Sequence, residues 1–184
     1  MAGPRTCHPP EVLVVAATER ELAHVRRFET FACGIGPVEA ALSTARALRE
    51  RAPSAVLHVG IAGARTLPLL TVVIGSEAIY EDLEAAIPVV DRVAPDAALF
   101  AQVHAALPEA VVAPIGTSAA VGSGTSEIEA MEGFAVLRAC EDAGVPAVEL
   151  RVVSNAIGEP DRTEWLFDEA FELLGQMLDR LDVV

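Results

Sequence analysis

Three side chains of this 184-residue sequence could carry chemistry together, an amide and two carboxylates. Asn155 is the only asparagine of the chain and ends a hydrophobic run that begins at Val148. Glu21 follows the first hydrophobic run, and Glu132 follows a glycine-containing loop. A carboxylate can hold a vicinal diol by accepting two hydrogen bonds or can deprotonate water, whereas an amide both donates and accepts. These residues are the candidates for binding and cleaving a polar small molecule.

Each candidate also has a structural interpretation, which the spacing alone leaves open. Asn155 could belong to a turn, because asparagine tolerates unusual backbone angles and caps turns. Glu21 stands three residues after Thr18, which is the spacing of a capping box at the start of a helix. Glu132 has apolar neighbours at helical spacing and could edge a buried helix face, or it could be a solvated residue.

The elements that must position these residues alternate between short β-type runs and helical patterns. This alternation predicts a layered α/β domain with a largely parallel sheet, in which ligands bind where the strands end. Strands are predicted at residues 12–17, 30–33, 55–59, 70–74, 77–80, 111–117 and 147–153. Helices are predicted from residue 18 onward and over residues 37–51, 97–107, 126–143 and 163–181. We expect one domain over residues 11–184, preceded by a flexible tail over residues 1–10.

Three glycine-containing turns are predicted to follow strands, and glycines at such corners let a ligand approach the backbone closely. The turns are Gly34–Gly36, Gly60–Gly63 and Gly122–Gly124. None of them reads as a phosphate-binding P-loop, because the chain has no lysine to follow the glycines. A dinucleotide fingerprint also fails, since Glu39 stands where its third glycine belongs.

Composition argues against several classes of partner. The formal net charge of −14 disfavours nucleic acid and anionic membranes, which require a basic face, but not an uncharged nucleoside. No apolar run is long enough to cross a bilayer, and the start of the chain lacks an apolar signal core. Cys7, Cys33 and Cys140 have no metal-binding spacing, and neither do the four histidines. We therefore expect a cytoplasmic protein that uses neither a metal nor an organic cofactor.

Five segments, in order along nearly the whole chain, resemble the nucleoside phosphorylase and nucleosidase family, and its nucleosidase branch in particular. Each segment is weakly specific alone, and the ordered set is more specific. Within the branch, Ser154–Arg162 looks like the futalosine hydrolases of the alternative menaquinone pathway. The five segments are Val14–Glu21, Gly34–Ala41, Val59–Gly63, Ala130–Gly133 and Val153–Asn155. The resemblance implies a three-layer α/β/α fold with a central mixed, largely parallel sheet, and a homodimer or higher homo-oligomer in which a neighbouring subunit helps to close the sugar site.

The resemblance also implies a role for each candidate. Glu21 aligns with the carboxylate that activates the attacking water. Glu132 aligns with the carboxylate that grips the ribose 2′- and 3′-hydroxyls, and Met131 with a side chain packed along the sugar. Asn155 falls where the adenosine-type nucleosidases of the family carry an aspartate.

Three further positions are expected to contact the substrate. Ala62 and Gly63 should border it at their glycine turn. The small residues at 119–121 occupy the segment where relatives often present an aromatic ring to the base. Phe134 or Trp165 is therefore expected to supply any stacking.

The asparagine favours a particular base. Adenine presents an amino donor at position 6, which an aspartate can accept, whereas a 6-oxopurine presents an acceptor there. The Asn155 NH₂ can donate to that oxygen while its own oxygen accepts from N7–H. A mismatched buried polar pair costs roughly 1–3 kcal/mol, so hypoxanthine is favoured over adenine by about tenfold or more. Together with the resemblance to futalosine hydrolases, this preference predicts hydrolysis of futalosine to hypoxanthine and dehypoxanthine futalosine.

Other functions stay open at this level. A purine nucleoside phosphorylase would need cationic groups converging on phosphate, and Arg65 is the one arginine directly after a glycine turn. A methylthioadenosine or S-adenosylhomocysteine nucleosidase would share the same carboxylates and tolerate Asn155 with weaker selectivity. A non-catalytic nucleoside-binding module would share the binding residues, although Glu21 would then have no task beyond capping.

Overall fold

The computed structural model describes residues 11–183, so the tail predicted over residues 1–10 lies outside the described residues. The strands within that range are β1 Val12–Ala16, β2 Glu29–Ala32, β3 Ala55–Ala64, β4 Val72–Tyr80, β5 Arg92–Val93, β6 Val111–Thr117, β7 Ile128–Ala130 and β8 Ala147–Ala156. The α-helices are α1 Pro37–Arg51, α2 Ala97–Ala106, α3 Gly133–Ala143 and α4 Phe167–Arg180, and a 3₁₀ turn spans Arg162–Glu164.

The strands form one mixed sheet in which most pairings are parallel, as predicted. β1 pairs in parallel with β2 and β3, β3 with β8, and β6 with β4 and β7. The pairings of β3 with β7, β4 with β5 and β4 with β8 are antiparallel. Part of the sheet closes into a ring, because each strand pairs with its neighbour in the order β3, β8, β4, β6, β7 and back to β3.

Helices cover both faces of the sheet, which confirms the three-layer α/β/α prediction. Successive residues of a strand point to opposite faces, so β1 contributes alternately to two apolar clusters. Leu13 and Val15 pack in the cluster that contains Ala40 of α1 and Val136 of α3. The other face packs against α2 and α4, in a cluster that includes Val12, Val14, Leu99, Val103, Leu174 and Met177.

Three predicted helix starts are wrong, and tertiary contacts explain one of them. Residues 19–24 form turns rather than a helix, although the Thr18–Glu21 hydrogen bonds of a capping box do form. The helix predicted from residue 126 begins at Gly133 instead. Residues 128–130 pair as β7 with both β3 and β6, and this pairing overrides the local helical signal.

Two strands run further than predicted. β3 continues to Ala64, so the glycine-containing segment Gly60–Gly63 lies inside the strand rather than in a turn after it. β8 continues to Ala156, so Asn155 lies within the strand near its end.

The last helix starts at Phe167 rather than at residue 163, because a 3₁₀ turn capped by Asp161 precedes it.

Candidate active site

Two adjoining cavities hold six of the seven predicted site residues. The first, called here the carboxylate cavity, has a volume of about 320 Å³ and is lined by Thr18, Glu21, Glu132 and Phe171, among others. The second, called here the amide cavity, has a volume of about 100 Å³ and is lined by Ala62, Gly63, Glu129, Asn155 and Trp165, among others. Ile61 and Met131 line both cavities, so a single ligand could extend from one into the other.

Glu21 is held in the carboxylate cavity by the turn that follows β1. Its Oε2 accepts hydrogen bonds from the amide and the hydroxyl of Thr18, both at 2.9 Å. Its Oε1 accepts from the backbone amide of Ile61 at 3.4 Å. The side chain is buried, yet it lines the cavity, so the carboxylate is fixed and accessible to a small reactant.

Glu132 lies directly before α3, at the N-cap position. Its Oε1 accepts from the backbone amide of Gly36 at 3.0 Å, which ties the loop after β2 to the start of α3. Gly36 has a φ of +88°, a conformation in which glycine is strongly favoured. Burial raises the pKa of Glu132 above its ordinary value of 4.5, against the opposing effect of the nearby Arg151 guanidinium.

A buried arginine joins the carboxylates, and the sequence reasoning missed it. Arg151 of β8 is only 1% exposed. Its Nε donates to Glu149 Oε1 at 2.8 Å, and its Nη2 lies 3.8 Å from Glu132 Oε2. Gly60 makes room for this group, because a Cβ atom there would collide with Arg151 Nη1 and lie 2.7 Å from Glu21 Oε1. Arg151 is thus the cation that compensates the buried carboxylates.

His58 completes this network in a neutral form. Its Nδ1 donates to the carbonyl of Val15 at 3.1 Å, so its Nε2 accepts from Arg151 Nη2 at 2.5 Å. Burial, reinforced by the arginine charge, lowers the pKa of His58 well below 6.5. Burial raises the pKa of the fully buried Glu149, with Arg151 acting in the opposite direction.

A sequence signal for this network was present. Glu149 and Arg151 stand two residues apart in an otherwise apolar run. Residues at that spacing point to the same face of a strand, and two opposite charges on a buried face are expected to pair. The alternation therefore pointed to an ion pair inside the sheet.

Asn155 reaches the amide cavity because β8 has a bulge. Ala62 pairs with Val153 and Gly63 with Asn155, so Ser154 is an extra residue in the strand, and such bulges redirect side chains. Ser154 Oγ donates to Asn155 Oδ1 at 2.9 Å, and Asn155 Nδ2 donates to the carbonyl of Ala156 at 3.1 Å. Each polar atom of the amide keeps the capacity for one more hydrogen bond.

The loop between β6 and β7 forms one wall of the amide cavity, and two carboxylates hold it. Glu129 accepts from the amides of Gly122 and Gly124, at 2.5 and 2.7 Å. Glu81 Oε1 accepts from the amides and hydroxyls of Thr125 and Ser126, all at 2.9 Å. Carboxylates thus fix a segment that lacks regular structure over residues 118–127.

The two candidate aromatic residues lie in different places. Trp165 lines the amide cavity, and its indole N–H donates to the carbonyl of Glu159 at 3.3 Å. Phe134 does not line either cavity. It stacks on Tyr80 at 5.2 Å between ring centroids and lines a separate groove between α1 and α3. The structure therefore does not bring Phe134 together with the other predicted site residues.

Residues 11–183 contain no cluster of metal ligands, and the two free cysteines in that range are buried. No group of three or more His, Cys, Asp or Glu side chains in that range is placed to hold a metal ion. Cys33 and Cys140 are free and buried, and burial raises the pKa of both thiols to about 12, whereas Cys7 lies outside the described residues. None of the helices described is both long enough and apolar enough to span a bilayer.

Comparison with known proteins gives consistent matches. Residues 29–181 match the phosphorylase superfamily. A futalosine hydrolase from Streptomyces coelicolor is 32% identical over 183 residues, which cover 84% of this chain and 78% of that protein. A futalosine hydrolase from Thermus thermophilus is 41% identical over 56 residues, which cover 30% of this chain and 25% of that one.

Solved structures share the fold at lower identity. The S-adenosylhomocysteine nucleosidase from Streptococcus pyogenes in complex with 5-methylthiotubericidin superposes with a TM-score of 0.82 at 19% identity, covering 95% of this chain and 97% of that one. The futalosine hydrolase of Helicobacter pylori gives a TM-score of 0.82 at 16% identity, covering 93% and 96% of the two chains. Since both identities are low, these likenesses establish the fold.

Proposed function

The chain belongs to the phosphorylase superfamily, and on that premise we propose that it is a nucleosidase that hydrolyses futalosine to hypoxanthine and dehypoxanthine futalosine. The observation that carries the proposal is the pair of adjoining cavities. A buried amide lines one, two buried carboxylates line the other, and Ile61 and Met131 connect them. A nucleoside has this division, with a flat polar base joined to a diol. The proposed reaction belongs to menaquinone biosynthesis.

The base is assigned to the amide cavity. Asn155 offers one N–H and one lone pair beyond its internal hydrogen bonds, which match the O6 acceptor and a protonated N7 of a departing 6-oxopurine. Trp165 lines the same cavity and is better placed than Phe134 to contact the ring. A base that can accept a proton at N7 departs as neutral hypoxanthine.

The sugar is assigned to the carboxylate cavity. The Glu132 carboxylate can accept hydrogen bonds from both ribose hydroxyls, and Met131 lies next to it at the junction of the cavities. Arg151 and the Gly36 amide hold this carboxylate, so the diol would meet a preorganised acceptor. Positioning of this kind fixes C1′ with respect to the other cavity.

The proposed chemical step is attack of water at C1′. As the C1′–N9 bond breaks, the sugar develops oxocarbenium character and the electron pair stays with the base. N7 of the leaving base takes a proton from solvent, and the resulting N7–H donates to Asn155 Oδ1. The water oxygen bonds to C1′ and its proton passes to Glu21, which returns it to solvent, so that the reaction consumes one water molecule in total. General-base assistance of this kind contributes roughly 10²–10⁴-fold.

The cations near the cavities support water rather than phosphate as the nucleophile. Arg20, the one cation among the described residues that line the carboxylate cavity, pairs with Asp168 at 2.7 Å. Arg65 donates to the carbonyls of Ser126 and Gly124, at 2.9 and 2.5 Å. Both guanidinium groups thus already contact acceptors within the protein, whereas phosphorolysis needs several cations that converge on phosphate.

The experiment is chromatography of the products formed by the purified protein from futalosine, inosine and methylthioadenosine, with and without phosphate. We expect hypoxanthine from futalosine without any phosphate. Strict dependence on phosphate would replace the proposal with a phosphorylase, and preferential release of adenine would replace it with an adenosine-type nucleosidase. Binding without release of any base would leave a nucleoside-binding module. Homo-oligomerisation and a cytoplasmic location stay predictions.

A further inference from the structure

Glu129 is a second polar side chain in the amide cavity that a base could contact. It is the one charged residue among the described residues that line this cavity, and it is only 6% exposed. A buried carboxylate facing a cavity is a strong hydrogen-bond acceptor, since hydrogen bonds to charged groups are about twice as strong as neutral ones. Its chemistry is therefore suited to a ligand that donates an N–H.

The strand register places Glu129 and Asn155 on either side of Gly63. Gly63 of β3 pairs with Glu129 of β7 on one side and with Asn155 of β8 on the other. Side chains of directly paired residues project to the same face of a sheet, and neighbouring strands lie roughly 4.8 Å apart. The two Cα atoms are thus roughly 10 Å apart across a residue that has no side chain.

Gly63 contributes no side chain between the two polar groups, which lets the Asn155 amide and Ile157 pack closely over it. A Cβ atom at this position would lie 3.1 Å from Asn155 Nδ2 and 3.0 Å from Ile157 Cγ1, so any larger residue would crowd the amide. The row Asn155–Gly63–Glu129 therefore has a polar group at each end and no side chain on its middle residue. This arrangement matches the edge of a flat heterocycle with hydrogen-bonding atoms at both ends.

Backbone donors fix the Glu129 carboxylate and leave it free to accept more. Gly122 N–H donates to Oε1 and Gly124 N–H donates to Oε2, one bond to each oxygen. An ionised carboxylate has about four acceptor sites, so each oxygen can accept a further hydrogen bond. The Glu129 carboxylate is thus held in place and still has free acceptor sites.

We propose that Glu129 is a specificity-determining residue whose carboxylate accepts the N1–H of a 6-oxopurine while Asn155 binds the O6 and N7 edge. This inference rests on the proposed function and adds a second contact to it. Hypoxanthine carries a hydrogen at N1, whereas adenine carries a lone pair there that would face the carboxylate. Glu129 therefore rejects adenine independently of Asn155.

The test compares two bases that differ only at N1. Hypoxanthine and 1-methylhypoxanthine both keep O6 and N7, but the second cannot donate from N1. Calorimetric titration of the unsubstituted protein is expected to show tighter binding of hypoxanthine by roughly tenfold to a hundredfold, the range for hydrogen bonds to charged groups. In Glu129→Gln, which has nearly the same shape, most of that preference should disappear.

Glu81→Gln is the matched control. Glu81 holds Thr125 and Ser126 of the same loop, and it is not among the residues that line the amide cavity. Loosening the loop through Glu81 should weaken the binding of both bases by a similar factor and keep the preference for hypoxanthine. A change in preference that is confined to Glu129→Gln assigns recognition to Glu129.

Three outcomes would overturn the inference. In the first, Glu129→Gln keeps the full preference for hypoxanthine over 1-methylhypoxanthine. The preference would then be a steric effect of the methyl group. In the second, Glu129→Gln weakens the binding of both bases equally, as expected if Glu129 only holds the loop between β6 and β7 in place. In the third, the unsubstituted protein binds the two bases equally, a result that needs no variant to fold. If the unsubstituted protein nevertheless releases hypoxanthine from futalosine, only this inference fails, and if it releases none, the proposed function fails.

Discussion

The carboxylate cavity and the amide cavity are built in different ways. In the carboxylate cavity, Glu21 and Glu132 lie beside a buried arginine that also binds Glu149 and His58, so charged side chains position one another. In the amide cavity, the polar groups are held by backbone amides and by Ser154, and one wall is an irregular loop. The carboxylate cavity, which is the proposed reacting end, is therefore built on a connected network of charges. The amide cavity, which is the proposed recognition end, is built on separate contacts.

Under the proposed assignment of the two cavities, this difference would allow base specificity to change while the chemistry is kept. Exchanging the amide of Asn155 alters one edge of the amide cavity and none of the ion pairs around Arg151. Removing a member of the charged network leaves the remaining buried charges uncompensated, which costs several kcal/mol. The predictions below probe the charged network first and the separable contacts afterwards.

The largest effect on turnover is expected from Glu21→Gln. Losing the proton acceptor should lower kcat by roughly 10²–10⁴-fold while nucleoside binding stays near the unsubstituted level. Steady-state kinetics with futalosine, together with calorimetric binding, measures both. Glu19→Gln, on the exposed side of the same turn, is the control and should keep the unsubstituted kcat. A Glu21→Gln enzyme of near-normal rate would assign this residue to capping the turn after β1.

The largest effect on stability is expected from Arg151→Met. The substitution leaves Glu132 and Glu149 buried without their cation, which should lower the free energy of unfolding by about 3–5 kcal/mol. The control is Arg138→Met, which removes an exposed pair with Glu141 and should cost less than about 1 kcal/mol. Urea unfolding measures both variants. Equal losses would show that the network is not the structural centre of the carboxylate cavity.

Two glycines of β3 allow the cavities to be perturbed separately. In Gly60→Ala the new methyl group collides with Arg151 and Glu21, so kcat should fall by roughly 10²-fold, as expected when a reacting group moves by about 1 Å. In Gly63→Ala the methyl group lies 3.1 Å from Asn155 Nδ2, so the amide must move by a few tenths of an ångström and base selectivity should change more than kcat. Kinetics on futalosine and methylthioadenosine separates the two effects, and the same pattern in both variants would contradict the division into two regions.

A smaller effect is expected in the pH dependence of stability. Burial raises the pKa of Glu149 above 4.5 in the folded state, so the folded protein holds this proton more tightly than the unfolded chain does. The stability that this proton contributes is present below pH 4.5 and is lost as the pH rises through the folded-state pKa. Glu149→Gln should therefore gain stability relative to the unsubstituted protein as the pH rises through that window, by at most about 1.4 kcal/mol per pH unit. Urea titrations across the window check the sign, and a constant or opposite difference would contradict it.

The sequence was sufficient to predict the layers of the fold, and six of the residues that it singled out line the two cavities. Alternating apolar runs predicted β1 and β6, and Pro37 predicted the start of α1, because these signals are local. Local signals misled where pairing across the sheet decided the structure. The Ser126–Glu129 spacing is typical of a helix start, yet residues 128–130 form a strand between β3 and β6.

The parts of the site that the sequence left hidden depend on long-range contacts. The spacing of Glu149 and Arg151 indicates an ion pair within one strand, but the second partner of Arg151, His58, is 93 residues away in the chain. The choice between Phe134 and Trp165 could not be made from spacing, because contacts distant in the sequence or outside regular structure orient both rings. Phe134 stacks on Tyr80, and the Trp165 indole N–H donates to the carbonyl of Glu159. The bulge at Ser154, which directs Asn155 into its cavity, has no signature in the strand itself.

The most direct test of the central claim, that Asn155 reads the keto edge of the base, is the selectivity of Asn155→Asp. The measurement is the ratio of kcat/KM for futalosine to that for methylthioadenosine, in the variant and in the unsubstituted protein. We predict that the ratio falls by about tenfold or more, because an ionised carboxylate accepts from the adenine amine and opposes the oxygen of hypoxanthine. An unchanged ratio would contradict the assignment of Asn155 to the base.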